Sequence, residues 1–588
     1  LKNPVDEQNF EFFVKSDMVK VGLNGAVSPV LKNQMFQNFS LSPDKKYILV
    51  HTIQRPYSYQ VPYSRFAANY SVYSTNGDKV FNLADIPLAE EMSISFDAVS
   101  KGVRDVTWRS DVPASLVWAE ALDEGDPSIE IAYRDVLFLL EAPFDKPKKE
   151  IAKTINRFTD IQFGNKSIAV VSDYLWKTRN TKTYFLDLSA KQPAMKIISD
   201  RNSEDLYSDP GNFMLARNEF NTYSLLFSPD KKKIFLSGEG YSPEGNRPFV
   251  DEYQLASGKT KRIWQADGIS TYEQVIDFVD VTKNLILTSI ESKTENPNFY
   301  LRTIGSKKAP VKITGFPHPY ESFKAVHKEK IKYKRADGID LSATLYLPPA
   351  YDIKSGIKLP LIMWAYPREF KSSDAAGQVS SSPNEFTYLN HYSPVYWVLK
   401  GYAILDDADF PIVGEGNKEP NDTYIPQLIA NARAAIDKLD SMGCINRAKV
   451  AVGGHSYGAF MTANLLTHST LFACGVARSG AYNRTLTPFS FQSEERSYWQ
   501  VPEVYNQMSP FTFADSINYP ILLIHGNADN NSGTFTLQSE RYFQALKGNG
   551  KVARLVLLPH ESHGYVAREN VMHVLWEQNE WFEKYLKQ

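Results

Sequence analysis

The chain has 588 residues, too many for one hydrophobic core, so two or more domains are expected. Hydrophobic residues make up 43% and charged residues 22%, with a formal net charge of −2, which argues against nucleic acid or an anionic membrane surface as a partner. No run of about 18 apolar residues occurs, so no transmembrane helix is expected, and the two cysteines, Cys444 and Cys474, cannot build a disulfide framework.

Aromatic residues reach 13%, which suits a first half rich in strands. Five segments there share a turn followed by an apolar strand: 39–50, 106–118, 161–171, 226–236 and 279–290. Two copies of Ser-Pro-Asp-Lys-Lys, at 42–46 and 228–232, are the sharpest repeat. Repetition on this scale predicts β-propeller blades of four strands each. Unrelated hairpins of a β-sandwich are the alternative. Residues 313–322, with Gly315, Pro317 and Pro319, form a linker. The predicted organisation is therefore a propeller over 1–315 and a second domain over 316–588.

The second domain opens with the segments 331–335 and 341–347 flanking Asp337-Gly338, a hairpin signal. Strands and helices then alternate: strands at 359–365 and 403–406, a helix at 424–439, strands at 450–452, 519–524 and 553–559, and a closing helix at 578–586. Alternation predicts a doubly wound, mostly parallel sheet with helices on both faces.

Within it stands Gly453-Gly454-His455-Ser456-Tyr457-Gly458-Ala459-Phe460-Met461, a G-x-S-x-G pattern between a strand and a helix. A sharp strand-to-helix turn lifts the Ser456 hydroxyl above the sheet, and flanking glycines remove side chains that would clash. The helix that follows aims free N–H groups at the site, which favours an oxyanion there. An α/β-hydrolase orders its triad Ser, Asp or Glu, then His. Here Asp529 and His563 follow, each just past the end of a strand, where open α/β sheets gather their functional groups. In this reading Ser456 attacks a carbonyl, His563 moves the proton, and Asp529 orients the imidazole. The alternatives are a turn-forming Asp529, since Ala-Asp-Asn-Asn is turn composition, and His560 in place of His563. His563 is preferred because Gly564 lets its loop turn the ring inward. His455 is expected on the opposite side of the turn as a structural residue, and His525 is also structural. The oxyanion donors are the Tyr457 N–H and a second group after the strand 359–365.

These motifs, with His-Gly-x-x-Asp, Ser-His-Gly and a tyrosine after the strand 359–365, resemble the prolyl oligopeptidase family of serine peptidases. The resemblance implies that the Tyr366 hydroxyl is the second oxyanion donor. It is closer to the glutamyl endopeptidases known from chloroplasts and their bacterial relatives. Tyr366-Pro367, Glu369-Phe370-Lys371, 374–378, 382–386, 477–485 and 529–533 carry that match, with Arg55-Pro56-Tyr57-Ser58 and Leu88-Ala89-Glu90 in the first half. Arg368 departs from it, at a position where a glycine is expected. The family has seven blades and five are readable here, so the propeller is expected to be incomplete.

The resemblance implies cleavage after glutamate, and a buried substrate carboxylate then needs a cation, best an arginine. The pocket wall is expected over 479–499. Arg484 is the favoured partner, with Arg478, Arg496 and Arg368 as alternatives. Structural ion pairs with Glu494 or Glu495 are the competing reading of these arginines. Tyr482 and Asn531 complete the candidate substrate-binding set. Peptides are the expected partner, with no metal and no nucleotide or other cofactor. Other functions to weigh are an exopeptidase clamping a free amine at Glu90-Glu91, a carboxylesterase, and a propeller-based binding protein with an inert hydrolase half. Compartment follows source: export or periplasm for a bacterial chain, chloroplast stroma for a plant-like one.

Overall fold

The computed structural model describes residues 1–93, 95–190 and 193–588. By compactness the chain divides into one unit of residues 1–203, 210–237 and 250–263, and another of 204–209, 238–249 and 264–588. Among the described residues no helix is long and apolar enough to cross a membrane.

Four-stranded antiparallel sheets recur along the first half. The first three run over Phe36–Leu41 to Lys79–Ile86, Val103–Trp108 to Lys149–Thr154, and Arg157–Asn165 to Ala194–Asn202. A fourth joins Asn212–Phe213, Lys233–Gly238, Phe249–Gln254 and Thr260–Gln265. A fifth, over Tyr272–Asp280 to Val311–Lys312, belongs to the other unit. Each of the five repeated segments falls within one of these sheets or the turn entering it. The two Ser-Pro-Asp-Lys-Lys copies build one and the same turn. Ser42 and Ser228 each donate to the aspartate two residues on, at 2.7 and 2.6 Å, and accept the N–H five residues on at 3.0 Å. Lys45 and Lys231 adopt left-handed backbone there.

Successive sheets in the first unit share apolar faces, and strand alternation explains how. In Ser115–Ala121, Leu116 and Trp118 pack with Leu49 and Val72 of the sheet before. Val117 and Ala119 point the other way and pack with Phe163, Ala169 and Val171 of the sheet after. Charge is buried there as well. Arg157, 5% exposed, donates to Asp123 at 2.7 Å and to Asp135 at 3.2 Å, and both carboxylates lie out of water.

The second unit holds an eight-stranded sheet: β1 (His327–Lys334), β2 (Asp340–Leu347), β3 (Leu359–Ala365), β4 (Ala403–Ala408), β5 (Ile445–His455), β6 (Cys474–Arg478), β7 (Ile521–Gly526) and β8 (Ala553–Leu558), in the order β1-β2-β4-β3-β5-β6-β7-β8. β1 and β2 form the hairpin foreseen around Asp337-Gly338, and β3 through β8 run parallel. Their apolar residues are buried on both faces, in two separate clusters. The helices α1 (Tyr424–Ser441), α2 (Tyr457–His468), α3 (Leu537–Gly548) and α4 (Arg568–Phe582) cover the sheet. The closing helix starts ten residues earlier than 578 and ends at Phe582, where a π-turn over Glu583–Lys587 replaces it.

Arg157→Met keeps the buried stem and removes the charge that Asp123 and Asp135 share. It is expected to cost about 3–5 kcal/mol, read as a lower urea midpoint of the circular dichroism transition.

Candidate active site

Ser456 follows β5, the strand between β3 and β6. Its backbone is strained, at φ 59° and ψ −114°, and α2 begins at the next residue. The strand end and the helix start approach so closely that only glycine fits. A Cβ on Gly454 would stand 2.4 Å from the Gly458 backbone, and one on Gly458 2.6 Å from the Ala365 carbonyl oxygen. The Ser456 N–H donates to the Arg478 carbonyl at 2.8 Å, tying the turn to β6. As the first helical residue, Tyr457 has no carbonyl one turn back for its N–H.

Asp529 and His563 lie on the loops after β7 and β8. Backbone bonds lace these loops together, from Asn527 to Leu558 at 2.9 Å and from Ala528 to Glu561 at 2.8 Å. The Glu561 carboxylate accepts the N–H groups of Val566 and Ala567, at 3.0 and 2.8 Å, just before α4. The loop carrying His563 is thereby pinned at both ends. His563 Nδ1 donates to Asp529 Oδ2 at 2.8 Å, with Thr534 Oγ1 at 3.0 Å. Burial works against the charge on Asp529, but hydrogen bonds from His525 and His563 outweigh it and hold the carboxyl well below the usual range.

The structure thus joins Asp529 to His563. It does not join His563 to Ser456 by a hydrogen bond. Burial raises the pKa of the Tyr366 hydroxyl, and Gln492, the charge of Arg484 and Ser456 oppose that rise. Tyr366 is 47% exposed, and its ring stands edge-on to that of Tyr457, 5.9 Å away. His455 corrects an expectation. Its ring lies 4.9 Å from the ring of His563 rather than across the turn. Burial, with the charge of Arg478, pushes it down to about 3, so it stays neutral. His560 sits exposed on left-handed backbone, with no bond to Asp529.

Three of the candidate pocket residues are placed elsewhere. Tyr482 is fully buried and stacks on Tyr542, with ring centroids 4.8 Å apart. Arg478 is shut between Trp364 and Tyr392, its guanidinium 4.5 and 5.1 Å from the ring centroids. Arg496 is held by Glu494 through two bonds, at 2.7 and 2.8 Å, and by Asp422 at 2.8 Å. These residues serve packing or ion pairing, so they are withdrawn as substrate ligands. Asn531 is exposed. Its N–H donates to Asp529 Oδ1 at 2.9 Å, so it shapes the aspartate loop. Arg368 is exposed on a short strand after β3. Glu90 accepts the Ser58 hydroxyl at 2.5 Å within its own unit.

Arg484 stands apart. It is 4% exposed, yet among the described residues its side chain forms no ion pair and no hydrogen bond. Its guanidinium lies over Phe460, Phe491 and Tyr457, at 4.2, 4.6 and 5.6 Å. Glu369 acts on it through space. That carboxylate accepts the Tyr457 hydroxyl at 2.6 Å and both the N–H and the hydroxyl of Ser493, and burial raises its pKa. The sequence pattern did not reveal Glu369, Thr534 or the bond from His525 to Asp529, because each depends on contacts between distant segments.

Residues 416–588 match the model of the prolyl oligopeptidase family. The chain is 46% identical over 601 aligned residues to a probable chloroplastic glutamyl endopeptidase of Oryza sativa subsp. japonica, covering 100% of this chain and 64% of that protein. It is 45% identical to the protein of the same name from Arabidopsis thaliana, covering 100% of this chain and 62% of that protein. The chain therefore spans less than two thirds of the length of these relatives. Among solved structures, an acylaminoacyl peptidase of Pyrococcus horikoshii aligns with a TM-score of 0.62 at 17% identity, over 97% of this chain and 85% of its own.

A Cβ on Gly526 would stand 2.2 Å from the Ser562 carbonyl oxygen, so Gly526→Ala must displace the His563 loop. Labelling of Ser456 by a fluorophosphonate is expected to slow by roughly 10²-fold. Gly548→Ala, where a Cβ meets nothing within 4 Å, should label at the parental rate.

Proposed function

The chain belongs to the prolyl oligopeptidase family, and from that premise we propose that it is a serine peptidase cutting peptides or flexible segments internally, after glutamate, through an acyl-enzyme. Ser456 is the nucleophile. His563 takes its proton and returns it to the leaving amine, and Asp529 keeps the imidazole in the tautomer whose Nε2 is free. The Tyr457 N–H and the Tyr366 hydroxyl receive the oxyanion. The bond from Ser456 to His563 closes when substrate arrives, since such bonds tighten in the Michaelis complex. The five antiparallel sheets are read as propeller blades over 1–315, and the hydrolase domain as 316–588.

One observation carries the preference for an acid: Arg484, a buried guanidinium with aromatic walls and no bonded carboxylate. Such a charge is costly to bury unpaired. A glutamate side chain would supply the planar acceptor that an arginine fork fits. The names of the plant relatives support the same reading, as does the position of the Arg484 guanidinium over Tyr457 and Phe460, in the first turn of the helix that follows Ser456.

Arg484→Ala is expected to lower kcat/KM for peptides with glutamate before the cut by roughly 10²-fold or more. Acylation by p-nitrophenyl acetate, which has no side chain to recognise, should hardly change. Equal losses on both would show that Arg484 supports the fold and not the pocket. Digestion of a mixed peptide library, read at the residue before each cut, checks the preference directly.

A further inference from the structure

Asp529 has a second imidazole. His525, in β7, is fully buried. Its Nε2 stands 3.0 Å from Asp529 Oδ2 and 2.7 Å from the Thr534 carbonyl oxygen. Both neighbours are acceptors, so Nε2 carries a hydrogen that the two share. Nδ1 faces the Ser539 hydroxyl at 2.7 Å, in the first turn of α3. One oxygen of Asp529 thus receives N–H groups from two histidines, with Thr534 Oγ1 also 3.3 Å away. The other oxygen is held by the Asn531 N–H. A carboxylate has about four acceptor positions, so it serves both rings at once.

Resting on the triad reading above, we propose that His525 is a positioning residue for the reaction. Its N–H pins the Asp529 carboxylate at the angle His563 needs, and it draws off part of the negative charge that would otherwise act on His563 alone. His525 touches neither substrate nor reacting atoms. Its influence passes through Asp529, whose anion is stabilised by the positive end of the second N–H dipole. The same dipole weakens the pull of Asp529 on a protonated His563. Other groups face this cluster from every side. His455 at the end of β5 lies against the His563 ring, and Arg478 at the end of β6 acts on His455. Tyr565, after β8, senses Asp529. Of the side chains around Asp529, those of His525, His563 and Thr534 bond its carboxylate.

The test uses the full chain, with p-nitrophenyl acetate as substrate so that the glutamate preference plays no part. Rates are normalised to sites titrated by a fluorophosphonate. His525→Leu removes the donor, whereas His525→Gln places an amide N–H near the position of Nε2. The Leu variant is expected to lose roughly 10- to 10²-fold in kcat with little change in KM. The acidic limb of its kcat/KM profile should move to higher pH by about half a unit or more. The sign follows from losing a positive dipole end beside Asp529, which leaves the carboxylate freer to stabilise the imidazolium. The Gln variant should keep the parental limb and most of the rate. Ser539→Ala loosens the far side of the ring without touching Asp529, and a smaller shift in the same direction is expected. It keeps the proposal testable should the Leu variant not fold. An unmoved limb in the Leu and Ala variants, or a Gln variant no better than Leu, would reduce His525 to packing and overturn the inference. Failure of the parent chain to label at Ser456 would instead overturn the triad reading on which it rests.

Discussion

A serine at φ 59° and ψ −114° is held against its own steric preference, and the hydrolase sheet supplies the hold. Such backbone costs on the order of 1–3 kcal/mol and persists only where its surroundings over-determine it. Here they do. The Ser456 N–H is bound by β6, and its carbonyl accepts from Ala459 and Phe460 in the first turn of α2. Gly454 and Gly458 meet backbone to backbone, and the Trp364 ring lies where a side chain on Gly453 would go. Relaxing the serine would mean separating β5 from α2, and the apolar cluster on that face of the sheet opposes this. The strain is thus balanced by packing well away from the hydroxyl.

The three arginines near this turn show how environment sorts one residue type. Arg496 is neutralised by Glu494 and Asp422. Arg478 lies between two aromatic faces, and burial lowers its pKa to about 10. It remains a cation there, and helps keep His455 neutral beside His563. Among the described residues Arg484, like Arg478, is enclosed by aromatic rings and bonds to no acid, but Arg478 donates to the Tyr392 carbonyl at 3.2 Å, whereas the Arg484 side chain makes no hydrogen bond. Arginine is weakly hydrated and stacks well, so aromatic walls lessen the cost of burial. They do not supply the hydrogen bonds that its five donors require.

Much of this was legible in the sequence, for physical reasons. Glycines flanking a serine between an apolar strand and a helix signal a turn that few other sequences tolerate. The repeated Ser-Pro-Asp-Lys-Lys segments encode local side-chain to backbone bonds, so the turn can be read without knowing its neighbours. The Asp337-Gly338 hairpin is local in the same sense. Side-chain roles across the sheet were not legible. Arg478, Arg484 and Arg496 are separated by their contacts: Trp364 and Phe460 fold in from elsewhere over Arg478 and Arg484, while Glu494, two residues away and readable in the chain, pairs with Arg496. His455 departs from its expected place across the turn because its ring packs toward the loop after β8, against His563. The closing helix is longer than the expected 578–586, because Val571, Val574 and Leu575 in its early turns pack onto an apolar cluster of the sheet.

Glu369 links recognition to chemistry in the proposed mechanism. Its carboxylate is bound by the Tyr457 hydroxyl from one side and by Ser493 from the other. Tyr457 carries the proposed oxyanion N–H on its backbone and lies under Arg484 with its ring. A substrate acid arriving at Arg484 enters the field of a carboxylate already present, one whose charge burial disfavours. Glu369 accepts three hydrogen bonds, from the Tyr457 hydroxyl and from the N–H and hydroxyl of Ser493, and makes none to Arg484. Were Glu369 to swing onto Arg484, it would release the hydroxyl of the tyrosine that begins α2. In the proposed mechanism, recognition of an acid and placement of the oxyanion donor share one residue, Tyr457.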